Sequence, residues 1–292
     1  MNVSSCLNKI VLVGVGLIGG SLVLDLKRLG KVAQVVGVDV DGDNLQRALE
    51  RGVIDTAQPL DAAALDGADW VLLAVPVAAM PAVCRTLAPL LPPETVVSDV
   101  GSTKRSALAA FRECLPRHFP RCVAAHPIAG SDRSGALAAQ FGLYRGKKVI
   151  VCPHENQDAG CLNAVATLWR AAGAEIWQMS AEEHDAVFAA VSHLPHLLAF
   201  SYVHQLLDHP QGTHYLQFAG SGFRDFSRIA ASHPQMWADI ALENCDALLA
   251  LLNQQQQQLN HLQNCLQTGN RAALLRYFAE ARAVRENWQD SA

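Results

Sequence analysis

Three glycines in the segment VLVGVGLIGGSLVLDLKRLG, namely Gly14, Gly16 and Gly19, stand in GxGxxG spacing, after an apolar run and at the opening of an amphipathic helical stretch. Each has a separate physical use. Gly14 permits a tight turn, Gly16 leaves no side chain between the backbone and a pyrophosphate, and Gly19 lets helix and strand pack closely. The helix N-terminus, around Leu17 and Ile18, supplies amide donors for the anion. Such glycines can also serve only as a tight strand-to-helix turn, but the flanking pattern favours dinucleotide binding. Asp39, in VVGVDVD about twenty residues past the last glycine, is placed to accept hydrogen bonds from an adenosine ribose. A carboxylate there repels the extra phosphate of NADP, and no Lys or Arg lies between Asp39 and Arg47 to offset it. The expected cofactor is therefore NAD, with NADP disfavoured.

The runs LLAVPVAAM and VSDVGSTKRS end further strands, and in an open α/β sheet such ends line the ligand crevice. Val75, Pro76 and Ser102 thus join the expected cofactor contacts. Ser102 also directly precedes a helical stretch, which makes it a candidate N-cap. His126, in VAAHPIAGSDRSG, ends the next strand on the same edge, where a nicotinamide and its reaction partner should meet. A lone histidine at a strand end is more often structural, so its company matters. VSHLPHLLAF carries His193 and His196 one helical turn apart, and GSGFRDFSRIAASHPQMW gathers Arg224, Asp225, Arg228 and Trp237. No neighbouring cysteine or HExxH arrangement completes a coordination shell around the histidine pair, so no metal is expected. Packing at the Pro195 break accounts for His193. Arg228 is either paired with Asp225 three residues earlier or reserved for an anionic ligand, and the spacing leaves both open.

The elements that must hold these groups follow from hydrophobic periodicity. From residue 9 to about 178 the runs KIVLVG, VVGVD, WVLLAVP, TVVSDVG, CVAAHP, KKVIVCP and AEIWQM alternate with helical stretches, which implies βαβ crossovers and a mostly parallel sheet. After Ser180 the strand pattern vanishes, and 181–208, 234–267 and 270–288 show helical spacing. The expected fold is α/β, with a Rossmann-type, doubly wound domain over 1–179 followed by an all-helical domain over 180–292. The short run Gln254 to Gln258 sits inside a leucine-periodic stretch and reads as the wet face of a long helix that could pack against a second subunit.

Bulk composition narrows the partners. The chain has 292 residues, half of them hydrophobic, a net charge of -4 and no basic cluster, so nucleic acid is not an expected partner. Small molecules and further copies of the chain remain. Eight cysteines occur without a CxxC pair, which argues against a zinc or disulfide framework. The first strand leaves no room ahead of it for a signal peptide, and no apolar run was expected to reach membrane-spanning length, so the expectation is a cytoplasmic protein with reduced thiols and no membrane.

GVGLIGGS, DVGSTK, HPIAGSDRSG, SHLPH and GFRDFSRIA, in this order over nearly the whole chain, resemble the prephenate/arogenate dehydrogenases of tyrosine biosynthesis. The resemblance implies an NAD(P)-binding domain, a helical dimerisation domain and a cleft between them. It also implies a reaction, the oxidative decarboxylation of prephenate to 4-hydroxyphenylpyruvate, CO2 and NADH, with arogenate as an alternative or additional substrate. By motif, His126 matches the histidine that accepts a hydrogen bond from the ring hydroxyl, Ser102 the serine that orients it, and His196 a histidine on the substrate side. Arg228 matches the arginine that binds the ring carboxylate, and Asp225 would hold it in place. Ser131, Asp132 and Trp237 fall at cleft-lining positions. Neither a fused chorismate mutase nor a regulatory ACT domain is expected, so tyrosine inhibition would act by competition in the cleft.

Two other readings are weaker. A β-hydroxyacid dehydrogenase needs a lysine on an interdomain helix, and none occurs from 149 to 292. A non-catalytic NAD sensor would have had no reason to keep His126, Ser102, His196 and Arg228 together.

Overall fold

The structure is a computed structural model that describes residues 6–130 and 133–288. The strands are β1 (Leu7–Val13), β2 (Val32–Val38), β3 (Thr56–Ala57), β4 (Trp70–Leu73), β5 (Val96–Asp99), β6 (Cys122–Pro127), β7 (Lys148–Cys152) and β8 (Glu175–Gln178). They form one eight-stranded sheet in the order β3-β2-β1-β4-β5-β6-β7-β8. All neighbours run parallel except β6 and β7, which pair antiparallel. Between them lie α1 (Leu17–Arg28), α2 (Gly42–Glu50), α3 (Ala62–Leu65), α4 (Met80–Leu87), α5 (Lys104–Cys114) and α6 (Ala159–Ala171).

Burial on both faces explains why these strands read as continuous apolar runs rather than alternating ones. Ile10 and Leu12 of β1 point to one layer, which contains Trp169 and Tyr144. Val11 and Val13, one residue out of phase, point to the other, which contains Leu87 and Phe111. The chain turns one way from β1 to β2 and the other way to β4, so the sheet switches direction at β1. The crevice outside the strand ends opens at that point.

From Ala181 onward the described chain is helical: α7 (Ala181–Phe188), a five-residue π-turn (Ala189–His193), α8 (Leu194–Leu207), α9 (Gly212–Leu216), α10 (Ser221–Ser227), a 3₁₀ turn (Arg228–Ala231), α11 (Pro234–Glu243), α12 (Cys245–Gln267) and α13 (Arg271–Asn287). β3, α9 and α10 were not foreseen, being short and, for the last two, set among glycines. The single helix expected over 234–267 breaks at Asn244, whose φ of -118° and ψ of 31° leave the helical region.

One expectation is overturned. Ala181–Leu207 runs as 27 helical residues with a mean hydropathy of 1.4 in its most apolar window, long and apolar enough to cross a membrane by length and composition. His184, Asp185, His193 and His196 had divided it into shorter apolar pieces in the sequence. His184 and Asp185 bond to His126 and to the start of α5, His193 is buried against Asn244, His196 lines the cleft, and 22% of the window is buried within the chain.

Candidate active site

The β1–α1 turn is shaped around its glycines. Gly14 has φ +86°, and a Cβ there would lie 2.4 Å from the Ala74 carbonyl oxygen. A Cβ on Gly19 would fall 2.5 Å from Leu12 Cδ1 and 2.8 Å from Ala74 Cβ. At Gly16, by contrast, a Cβ would meet nothing within 4 Å, because the turn opens there onto a cavity of about 490 Å³. Gly16, Leu17, Ile18 and Gly19 line this cavity together with Val75, Pro76, Ser102 and His126. The amides at the start of α1 face an open crevice with no acidic residue in the first turn, an arrangement suited to a pyrophosphate. The Asp39 carboxylate accepts from the Val15 amide at 2.8 Å, the Asp41 amide at 3.0 Å and Asn44 Nδ2 at 3.1 Å. It therefore braces the glycine turn from the end of β2. The residues present fit a dinucleotide.

The segment between β5 and α5 is anchored by a buried ion pair. Lys104 Nζ meets Asp99 Oδ2 and also donates to the Ala125 carbonyl at 2.6 Å, while Asp99 accepts from the amides of Gly101 and Ala125. Both side chains are fully buried. The pair thus ties the end of β5 to the residue just before His126. Ser102 is not the N-cap anticipated for α5. Thr103 holds that position without a side-chain capping bond, and the free amides of Lys104 and Arg105 are taken by Asp185 at 2.8 and 3.0 Å.

His126 is partly buried at the end of β6, with its Nδ1 2.9 Å from His184 Nε2. His184 Nδ1 in turn lies 2.8 Å from Asp185 Oδ1. Burial, then the neighbouring His184, Lys104 and His193, hold the His126 imidazolium well below its ordinary 6.5. Burial would raise the Asp185 carboxyl, but hydrogen bonds from His184 and from the Lys104 and Arg105 amides bring it below the usual carboxylate value. Neither His184 nor Asp185 was picked out in the sequence. Their adjacency in EEHD reads as the polar first turn of a helix, and the contact that matters is 58 residues away in the chain.

A second cavity, of about 1030 Å³, shares His126 with the first and is lined further by Phe188, Ser192, His196, Arg224, Arg228 and Trp237. His196 stacks on Trp237, with centroids 3.6 Å apart and planes 19° from parallel. Its Nδ1 donates to the Ser192 carbonyl at 2.9 Å, which leaves Nε2 as the ring's acceptor. Burial and the Arg228 charge both disfavour its protonation. The π-turn sits between Phe188 and His196, ending two residues before Pro195.

The structure separates two groups expected to act together. Among the described residues no ion pair joins Asp225 to Arg228. Asp225 is exposed on α10 and does not line the cavity, whereas Arg228 lies past the end of that helix, in the 3₁₀ turn. The three-residue spacing would pair them only on one continuous helix. Arg224 lines the cavity instead and supplies a second guanidinium. His193 is buried away from both cavities, its Nδ1 3.2 Å from Asn244 Nδ2. Ser131 and Asp132 lie outside the described residues. Met236 of α11 lines both cavities, and His233, Gln235 and Asp239 line the first, which brings the helical part of the chain over the crevice. Among the described residues no three metal-ligating side chains cluster.

Known proteins resemble this chain over both of its parts. Residues 22–178 match the family of prephenate dehydrogenase nucleotide-binding domains, and residues 180–280 match the prephenate dehydrogenase dimerization domain. The chain is 34% identical over 280 residues to the prephenate dehydrogenase of Bacillus subtilis, covering 95% of this chain and 75% of that one. It is 33% identical to the cyclohexadienyl dehydrogenase of Zymomonas mobilis, covering 94% of each. Among solved structures, the prephenate dehydrogenase of Aquifex aeolicus in complex with hydroxyphenyl propionate and NAD+ superposes with a TM-score of 0.90 at 34% identity, over 97% of this chain and 99% of that one. With matches that span both parts of the chain, this protein belongs to the prephenate dehydrogenase family.

Proposed function

We propose that the protein catalyses the NAD-dependent oxidative decarboxylation of prephenate to 4-hydroxyphenylpyruvate and CO2. The observation that carries this reading is that one histidine, His126, forms part of the wall of both cavities, the crevice behind the glycine turn and the guanidinium-lined cavity beside it. NAD, when bound, supplies the acceptor for the hydride lost from the ring carbinol carbon. The residues that would hold it are Gly14, Gly16, Leu17, Ile18, Gly19, Asp39, Val75, Pro76 and Ser102.

His126 accepts the proton of the ring hydroxyl as the C–O bond gains double-bond character. A neutral imidazole is required, and its burial favours that form. Ser102, on the same cavity wall, orients the hydroxyl. Arg228, with Arg224 beside it, binds carboxylate, and a guanidinium fork suits that group better than an ammonium would. His196 is held by Ser192 and Trp237 to present Nε2 to the substrate.

The similarity to a cyclohexadienyl dehydrogenase supports a second reading, in which arogenate is accepted as well, since the two substrates differ only in keto against amino on the side chain. The protein is further proposed to work as a homodimer. Large apolar side chains stand exposed on the helices and the turns between them, including Leu207 and Phe218 at 76% each and Leu266 at 70%. The eight cysteines are all unbridged, which supports work in a reducing cytoplasm.

The test is steady-state formation of reduced nicotinamide from NAD with prephenate and with arogenate, for the wild type and His126→Asn. Turnover should fall by about 10²- to 10⁴-fold in the variant, with NAD affinity within about twofold of wild type. A variant that turns over at close to the wild-type rate would remove His126 from the chemistry.

A further inference from the structure

We propose that His184 and Asp185 are positioning residues that set which nitrogen of His126 carries its proton, leaving Nε2 bare as the basic atom. The inference rests on the reading of His126 as the base, and the argument is one of donors and acceptors. An ionised carboxylate only accepts hydrogen bonds. Asp185 takes four donors: His184 Nδ1 at 2.8 Å, the amides of Lys104 and Arg105, and Arg105 Nε at 3.2 Å. His184 Nδ1 must therefore bear a hydrogen. His184 is fully buried, and burial disfavours its cationic form, so its Nε2 is a lone-pair acceptor. The only hydrogen that can fill the 2.9 Å gap to His126 is one on His126 Nδ1. The neutral His126 ring then has its lone pair on Nε2, across the ring from this inward contact.

A histidine side chain free in water prefers the opposite tautomer, with hydrogen on Nε2, which could not accept a proton there. The chain of bonds thus decides whether His126 can serve as a base at that atom. No proton travels along the chain; His184 remains neutral throughout. Lys104 of α5 and His193 of the π-turn also act on His126 through their charge, but among the described residues the hydrogen-bond partner of Nδ1 is His184 of α7.

The arrangement is rigidly built. Asp185 doubles as the anion at the N-terminus of α5, a favourable position for negative charge. Asn244 closes the network by donating to the Asp185 carbonyl at 2.8 Å and accepting from Arg105 at 3.2 Å. Asn244 is fully buried at the break between α11 and α12, so the tautomer of His126 is tied to the seating of the C-terminal helices.

The experiment uses the full chain with nitrogen-labelled histidine, the His126 signals being assigned by their loss in His126→Asn. Two-bond proton–nitrogen spectra should show hydrogen on His126 Nδ1 in the wild type, and a shift towards Nε2–H in His184→Leu. Turnover of His184→Leu should fall by on the order of 10²-fold, with NAD affinity within about twofold of wild type. His184→Gln, whose amide oxygen can accept from Nδ1, should recover about tenfold of that loss. Hydrogen on Nε2 in the wild type, or unchanged turnover in His184→Leu, would overturn the proposal. Should His184→Leu fail to fold, the wild-type spectrum alone decides. A wild type that does not oxidise prephenate would defeat the functional reading, while the tautomer measurement would still judge the positioning role of His184 and Asp185.

Discussion

The chemistry at His126 depends on a neutral ring, and its surroundings hold the imidazolium below the ordinary 6.5 mainly by burial. Acid should therefore be the harmful direction. With prephenate, kcat/KM should be level through neutral pH and fall only on an acid limb lying below 6.5, as His126 gains a proton and stops accepting one. A limb centred above that value would mean that the ring is stabilised as a cation. At this scale the sequence was informative where a residue's role is local. Gly14 and Gly19 have the local geometry that their spacing implied, a φ of +86° and close packing, and Gly16 opens onto the first cavity. His126 and His196 are brought to one cavity. The sequence was silent on His184 and Asp185, because a bond across 58 residues has no local signature. It left open whether Asp225 pairs with Arg228, because the spacing cannot show that the helix ends between them.

Among the elements, the end of β5 and the start of α5 depend most on a single interaction. Lys104 and Asp99 are both fully buried and satisfy each other and the β6 backbone. Replacing the lysine by methionine keeps most of the volume and leaves the carboxylate without its counter-charge. Lys104→Met should destabilise the protein by about 3–5 kcal/mol, measured as the shift in a urea unfolding curve; a loss below about 1 kcal/mol would show the pair to be no stronger than a surface one. The major strands and long helices were legible because both periodicities persist over several turns or pleats. β3 was not, having two residues, and α9 and α10 were not, because glycines at 212, 220 and 222 hide short helices inside what reads as a loop. The break at Asn244 was invisible for another reason: the leucine and isoleucine pattern runs straight through it, and the buried contacts of its amide with Asp185, His193 and Arg105 link residues far apart in the chain.

Taken whole, the molecule concentrates uncharged histidines between its sheet and its C-terminal helices. Burial is the leading cause of the lowered values at His126, His184, His193 and His196, with His193 brought to about 4. Below 6.5 the unfolded chain takes up protons that the folded chain refuses, so the unfolded state binds more protons and stability must rise with pH across this window. Asp185, lowered in the fold, adds to the trend from the acid side. Urea unfolding at about pH 5 should therefore give a lower midpoint than at about pH 7, with equal midpoints counting against neutral burial of the cluster. The π-turn at Ala189–His193 bears on the same region. A π-turn holds one residue more than the α-helical turn it replaces. Winding the same residues as a regular α-helix, with none removed, would swing everything downstream by about 100°. His196 would then rotate relative to His126 although neither had been mutated. The angular phase of one long rod, and with it the meeting of the two histidines, hangs on a single surplus amino acid.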